Sequence, residues 1–382
     1  MIEVQDKAMC CGCSACASRC PKQCIHMLRD EEGFLYPVVD KGNCVDCGVC
    51  EMVCPFLNKT NPVSGKTILA CVHRDENIRK SSSSGGFFSA LAEDVILKGG
   101  YVFGAALCGG NKVMHIAVRT IEDLARLRGS KYVQSSIGDA YLQCRTLLNQ
   151  NKEVLFSGTP CQIKGLYSFL DKPYPNLTTL DFICHGVPSP GVWEAYLQQL
   201  SARYGAAVKT IFFRDKAYGW KTYSMRIAFE NGQEYLKKAD EDLYLRGFVA
   251  NLYLRPSCHN CKVKGGTSGA DFTVADFWGV ERILPQFSDN AGVSLVICNT
   301  DKAKKMSGLP IETVCVSESV LSKNPSYFAS SPVNKRRRVF FGRFRKNDID
   351  VLIEKMLRPN LINRINIRIS RLMRKVKNSG QT

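Results

Sequence analysis

The chain has 382 residues, 45% of them hydrophobic and 23% charged, which is ordinary globular usage and enough for two or three domains with sizeable cores. Its net charge of +17 is concentrated: Lys335 to Thr382 holds 15 Lys and Arg against 3 Asp and Glu, a net of +12, so +5 remains for everything before it. The body therefore offers no basic footprint for nucleic acid.

Nineteen cysteines are the unusual feature. The segment from Met1 to Lys7 is polar and lacks the apolar core of a secretory signal, and no apolar run reaches the roughly 18 residues of a membrane-spanning helix. The expected compartment is a reducing cytoplasm, where clustered thiols bind metal.

Two cysteine runs dominate the first sixty residues. Cys10, Cys13, Cys16 and Cys20 precede Pro21; Cys44, Cys47, Cys50 and Cys54 precede Pro55. Both read C-x2-C-x2-C-x3-C-P, the spacing of two-cluster ferredoxins. Three cysteines on a tight loop reach three corners of one cube, and the fourth, beyond a turn, points to the other. The expected ligand sets are Cys10, Cys13, Cys16 and Cys54 for one [4Fe–4S] cluster, and Cys44, Cys47, Cys50 and Cys20 for the second. Gly12 and Gly48 let the backbone lie close to the sulfides. Zinc sites are built from CxxC pairs and have no need of two matching runs ending in Cys-Pro. Cys11 and Cys24 fall outside the pattern and read as spare thiols. Residues 1–58 are thus expected to form an α+β ferredoxin-like domain with two clusters, followed by a polar linker from Asn58 to Lys66.

From residue 67 strand-like and helix-like stretches alternate: strands at Thr67–Val72, Tyr101–Leu107, Glu153–Phe156 and Leu177–Ile183, helices at Gly86–Leu97, Ile137–Leu148, Leu166–Leu170 and Gly191–Tyr204. This order predicts an α/β domain over residues 67–333 with a largely parallel sheet. Tyr223–Tyr235 alternates about Asn231-Gly232, a hairpin signal, so the sheet is expected to be mixed.

Four cysteines of this body fall in loop contexts: Cys161 after one strand, Cys184 at the end of another, and the pair Cys258 and Cys261. Ligands of open α/β sheets bind at the carboxyl ends of strands, so the four are candidates for one four-thiolate site. A third cluster, a zinc ion with the same ligands or with His185 or His259, and a redox disulfide between Cys258 and Cys261 are all compatible with this spacing. Cys71, Cys108, Cys144, Cys298 and Cys315 read as small buried hydrophobes. Ser81-Ser82-Ser83-Ser84-Gly85-Gly86-Phe87 opens a helix, where free N–H groups attract an anion, although a plain capped helix fits as well. His115 and His185 read as satisfied structural histidines.

After Pro359, Ile362, Ile365, Ile369, Leu372, Met373 and Val376 recur at helical spacing with Arg and Lys between them. Residues 334–382 are therefore expected to form a basic amphipathic helical tail, suited to packing on the body, to a partner protein, or to peripheral contact with an anionic membrane.

Six motifs in order carry a resemblance: Ser-Ser-Ser-Gly-Gly-Phe (82–87), Gly-Ser-Lys-Tyr-Val-Gln (129–134), Gly-Thr-Pro-Cys-Gln (158–162), Asp-Phe-Ile-Cys-His-Gly-Val (181–187), the Cys258/Cys261 pair, and Ala-Asp-Phe-Trp-Gly (275–279). Together they resemble the coenzyme F-420 hydrogenase/dehydrogenase beta-subunit family over roughly residues 5–300. The resemblance implies an FAD- and [4Fe–4S]-dependent oxidoreductase with a third cluster on Cys161, Cys184, Cys258 and Cys261. It implies flavin contacts from Ser83, Ser84, Gly85, Gly86, Phe87, Lys131, Tyr132 and Thr159, with Asp276 and Trp278 near the same site. A ferredoxin-type carrier or the subunits of a redox complex would be its partners, and a small molecule its two-electron substrate. A non-catalytic relay subunit of a larger redox complex is the alternative.

Overall fold

The computed structural model describes residues 1–58 and 65–358. Most of the expected linker, and the amphipathic stretch after Pro359, lie outside the described residues. Among those described, no helix is long and apolar enough to cross a membrane.

The N-terminal module is small. Helices α1 (Ala15–Arg19) and α2 (Val49–Met52) each grow from a cysteine run, and strands β1 (Ile25–Arg29) and β2 (Leu35–Val39) form an antiparallel pair. Asp30 shapes the turn between the strands, its Oδ1 accepting from the amides of Glu32 at 3.1 Å and Phe34 at 2.9 Å.

The body is built on one eight-stranded sheet. Its strands are β3 (Thr67–His73), β4 (Tyr101–Cys108), β5 (Lys112–Val118), β6 (Val154–Ser157), β7 (Leu177–Phe182), β11 (Phe272–Asp276), β12 (Ser294–Cys298) and β13 (Ile311–Cys315), in the order β13-β3-β12-β11-β7-β6-β4-β5. β4, β6, β7 and β11 run parallel in the middle; β5 at one edge, and β12, β3 and β13 at the other, pair antiparallel. All five residues of β12 are buried, as expected of a strand covered on both faces. Around the sheet lie α3 (Glu76–Ser81), α4 (Phe87–Leu97), α5 (Ile121–Leu124), α6 (Ala140–Asn149), α7 (Pro160–Leu170), α8 (Pro190–Tyr204), α9 (Leu243–Val249) and α10 (Asp301–Lys304).

The sheet is mixed, as expected, but not because of the Asn231-Gly232 hairpin. That hairpin joins β9 (Ser224–Phe229) to β10 (Glu234–Lys238), which with β8 (Val208–Asp215) form a separate three-stranded antiparallel sheet. The apolar face of this small sheet packs on α8 and α9 through Trp193, Tyr196, Phe213, Met225 and Tyr244. Helices α11 (Arg337–Arg343) and α12 (Ile349–Leu357) complete the same core with Phe340, Leu352 and Ile353. The first part of the basic segment therefore packs as part of the body.

The module is bound to the body by directed contacts. Arg29 makes a two-pronged pair with Glu194 on α8, at 2.7 and 2.8 Å. Glu32 receives the Arg337 guanidinium of α11, and its carbonyl accepts from Ser189.

Candidate functional site

The first cysteine run begins at Asp6, whose side chain caps a 3-10 turn (Lys7–Met9) and delivers Cys10. Gly12 and Ser14 then take left-handed backbone (φ +69° and +63°), folding the chain so tightly that Cys10, Cys13 and Cys16 face one side. There they line a cavity of about 280 Å³ with Cys54, walled by Ile2, Met27, Pro37 and Phe56. Burial pushes the Cys16 thiol up to about 12, with Cys10, Cys54 and Cys50 adding repulsion. Thiols held this close in apolar surroundings give up their protons when a cation neutralises them.

The second run repeats the design. Asp46 and Gly48 hold positive φ (+47° and +73°), and Cys44, Cys47 and Cys50 line a second pocket with Cys20, next to Ile25 and Val39. The Ile2 amide donates to Cys50 Sγ at 3.3 Å. The two pockets divide the eight cysteines into the two sets expected from their spacing. Cys11 lines the first pocket and Cys24 the second, where Cys24 Sγ is 3.5 Å from Cys20 Sγ. The cysteines ring the two pockets, the arrangement a four-iron cube uses.

The structure also brings the four body cysteines together. Cys161 lies in the first turn of α7, not in a loop: Thr159 and Gln162 form a capping box and Pro160 starts the helix. Cys184 follows β7, and Cys258 and Cys261 flank the end of the turn Pro256–Asn260. Burial first, then the charge of Cys258, Cys161 and Cys261, pushes the Cys184 thiol well above its ordinary range; Cys258 is likewise raised by burial and by Cys161 and Cys261. Donors surround the sulfurs: the Val187 amide reaches Cys258 Sγ at 3.4 Å, and Thr159 Oγ1 lies 3.2 Å from Cys161 Sγ.

Cys11, which its position outside the motif marks as spare, links the first pocket to this site. Its thiol is fully buried with Cys13 on one side and Cys161 on the other, and contact with Cys13 pushes it well above the usual thiol range. The one sequence signal was its place directly beside Cys10. Of the five cysteines read as buried hydrophobes, Cys71, Cys144 and Cys298 are buried and Cys108 is half-buried. Cys315 is exposed, because β13 is an edge strand that turns this side chain outward.

Two of the motifs proposed for the flavin meet just before α4. Ser83 Oγ is 2.9 Å from Ser130 Oγ and accepts the Ser130 amide at 2.7 Å. Gly85 sits where a Cβ would strike the Cys71 carbonyl at 2.2 Å. Gly86 enters α4 with φ +94°, and no side chain caps that N-terminus, the arrangement in which helix N–H groups receive phosphate. Other members of the set are engaged internally. Ser84 Oγ donates to the Val293 carbonyl at 2.7 Å, and Phe87 is buried against Phe272. The Lys131 ammonium donates to the carbonyls of Arg126, Leu127 and Arg128 at 2.8–3.0 Å, and burial brings it down to about 7. Tyr132 packs on Phe248 and Phe213.

Asp276 ends β11 paired with the buried Arg214 and accepts from Trp220 Nε1 at 3.1 Å; Trp220 stacks on Trp278 at 5.2 Å. Among the described residues, Arg214 Nε and Nη2 are buried with no hydrogen-bond partner. Sequence reasoning missed Arg214, since nothing in its neighbourhood of the chain marks it. His115 is a satisfied core histidine, between the Ser157 carbonyl and Ser135 Oγ at 3.0 Å each. His185 is held by Asn251 at 2.6 Å.

With this geometry in hand, comparison with known proteins gives the class. Residues 9–58 match the 4Fe-4S dicluster domain. Residues 151–316 match the family model for the C terminus of the coenzyme F420 hydrogenase/dehydrogenase beta subunit. The chain thus joins a 4Fe-4S dicluster domain to a segment that matches the C terminus of the F420 hydrogenase/dehydrogenase beta subunit, as the motifs indicated. That match includes Cys161, Cys184, Cys258 and Cys261; the two serine-bearing motifs at 82–87 and 129–134 precede it. No curated protein matches the chain in sequence. Among solved structures, a chain of the F420-reducing [NiFe] hydrogenase complex from Methanosarcina barkeri resembles it with a TM-score of 0.46 and 17% identity, over 75% of this chain and 93% of that one.

Proposed function

We propose that this protein is an iron–sulfur flavoprotein oxidoreductase. It would exchange electrons between ferredoxin-type clusters and FAD for a small two-electron substrate. The observation that carries this reading is the succession of cysteine sites: an outer pocket at Cys20, Cys44, Cys47 and Cys50, an inner pocket at Cys10, Cys13, Cys16 and Cys54, and a third set at Cys161, Cys184, Cys258 and Cys261. Cys50 lies near Cys16, and Cys11 bridges Cys13 and Cys161, so adjacent sites share sulfur neighbours.

Flavin bound in such a protein supplies the conversion between hydride and single-electron chemistry. The chain's own part is to hold and insulate. The cysteines fix the clusters; backbone amides such as those of Ile2 and Val187 stabilise sulfur charge. The uncapped N-terminus of α4 and the Ser83–Ser130 contact suit a cofactor phosphate. Thr159, whose Oγ1 lies 3.2 Å from Cys161 Sγ, would be a flavin contact beside the third set of cysteines. Cys47 is exposed, with Val45 and Met52 exposed beside it, which suits electron exit to a partner carrier. We assign the protein to the cytoplasm, with contact to an anionic membrane through the basic tail as an accessory role.

A second reading, an electron-relay subunit with no flavin, draws on Lys131, whose ammonium donates to three backbone carbonyls. Counting iron, sulfide and flavin per chain in an anaerobic preparation separates the two. About twelve irons with one FAD support the oxidoreductase. About eight irons without flavin leave the dicluster module alone and favour the relay.

A further inference from the structure

The seam between the dicluster module and the body contains two buried cations. Arg255 is wholly buried. It comes from the body, just before the Cys258 turn, and lies across the first cysteine run. Its Nε donates to the Cys10 carbonyl at 2.8 Å, Nη1 to Gln134 Oε1 at 2.9 Å, and Nη2 to the Leu35 carbonyl at 2.9 Å; Nη2 also points at Cys10 Sγ, 3.7 Å away. The Tyr36 ring lies 4.1 Å from the guanidinium carbon. Among the described residues no carboxylate pairs with it. Lys164, on the buried side of α7, lies near Cys11, Cys54 and Cys261.

The second cysteine run provides an internal control. Gly12 and Asp46 occupy the same place in the two runs, between the first and second cysteine, and both hold positive φ. A Cβ on Gly12 would stand 2.8 Å from Arg255 Nη1 and 2.9 Å from Gln134 Nε2. Asp46 carries a full side chain, exposed, 2.9 Å from the Met1 amine. Where the outer run bears a carboxylate, the inner run has no side chain and the space holds a guanidinium.

A buried guanidinium without a counter-ion is costly, and Arg cannot shed its proton to escape that cost. A four-iron cube on four thiolates carries about −2, and about −3 once reduced. Building on the cluster assignment made above, we propose that Arg255 is the fixed counter-charge of the cluster held by Cys10, Cys13, Cys16 and Cys54. It raises that cluster's potential above that of the outer cluster, and Lys164 adds to the effect from the side of the third site. One electron leaves the donor cluster and one arrives at the inner cluster. No bond is made or broken, and no proton need follow because the neutralising charge is already there.

The test is a redox titration of the full-length, cluster-loaded protein followed by electron paramagnetic resonance, with Cys13→Ser and Cys47→Ser assigning the inner and outer signals. Arg255→Gln is expected to keep its iron. At a fixed solution potential it should lower the reduced-to-oxidised ratio of the inner cluster at least tenfold, ~59 mV for a one-electron couple, with the outer cluster unmoved. Arg255→Lys should restore most of the shift, and Lys164→Met should move the inner cluster the same way by less. An unmoved inner potential at full iron, equal shifts at both clusters, or a Lys variant indistinguishable from Gln would overturn the proposal. If Arg255→Gln loses iron, Arg255→Lys decides: retained iron and potential support the charge role, and loss there too means that Arg255 only holds the fold. Wild-type protein lacking iron would instead fail the cluster assignment itself.

Discussion

The two cysteine runs of the N-terminal module share spacing and backbone shape, yet they face different surroundings. The first is closed over by the body, with Arg255, Gln134 and Lys164 against it. The second sits at the far end, with Cys47 and Asp46 exposed. Ligand spacing therefore determines what each run can bind, and the neighbouring chain determines what that site can do. In the proposed succession, an inner site wrapped in protein and fixed cations would suit exchange with the body, and an outer site open to solvent would suit exchange with a partner.

Removing one ligand from each run tests that division and carries the largest expected effect. Cys13→Ser and Cys47→Ser should each lower iron by about four per chain. Cys13→Ser should abolish electron delivery from reduced flavin to an external one-electron acceptor, because the inner site is the sole bridge in the proposed succession. Cys47→Ser should leave the inner and third clusters reducible in rapid-mixing spectra while blocking exit. Equal behaviour of the two variants in those spectra would break the inner–outer distinction.

Cys161→Ser extends the comparison to the body. It should remove about four irons and leave the N-terminal pair intact. Full iron retention would sink the third site and return Cys161 to a structural role in the first turn of α7.

A smaller effect comes from the matched positions Gly12 and Asp46. Gly12→Ala adds a Cβ at positive φ and pushes it into Arg255 and Gln134; about 2 kcal/mol of stability should be lost. Asp46→Ala removes an exposed ion pair and should change stability little. Denaturant unfolding of the two variants measures the difference, and equal losses would mean that the inner run is no more tightly enclosed than the outer.

The cysteines that line the two pockets of the dicluster module were legible because they are local: all eight lie in two short runs of matching spacing. The third site was legible only as loose cysteines, since Cys161, Cys184 and Cys258 are brought together by β6, β7 and the loop before β11. The start of α7 at Pro160 had a local signature, Thr159 and Gln162 flanking a first-turn Pro, and it moves Cys161 from loop to helix. The Asn231-Gly232 hairpin was readable as a hairpin, but turn chemistry says nothing about which sheet it joins. Antiparallel β12 and β13 pair with β3 across more than two hundred residues, a relation no local pattern encodes. Arg255 and Lys164 escaped for the same reason, because a cation buried by tertiary contact looks like any surface cation in the sequence. Lys131 folds back on the turn that follows α5 and satisfies the carbonyls of Arg126, Leu127 and Arg128, a use the motif alone concealed.

A last comparison separates body from module by pH. His115 is buried behind the Ser157-Gly158-Thr159 segment that presents Cys161, and burial holds its imidazole down at about 4, despite the bond to the Ser157 carbonyl. The module's histidine, His26, lies on an exposed face. In the unfolded chain a histidine takes up its proton near 6.5, whereas folded His115 stays neutral until about 4. Below pH 6.5 the unfolded state thus binds the extra proton, and stability present above that pH is lost progressively as pH falls towards 4. Between pH 7 and pH 5 the loss should be roughly 2 kcal/mol. Anaerobic denaturant unfolding at the two pH values, compared with His115→Gln, isolates it: the variant should show a pH dependence flatter by that amount, while spectra of the two N-terminal clusters stay unchanged. The same slope in wild type and variant would show that the acid sensitivity of the third site's scaffold arises elsewhere than at His115.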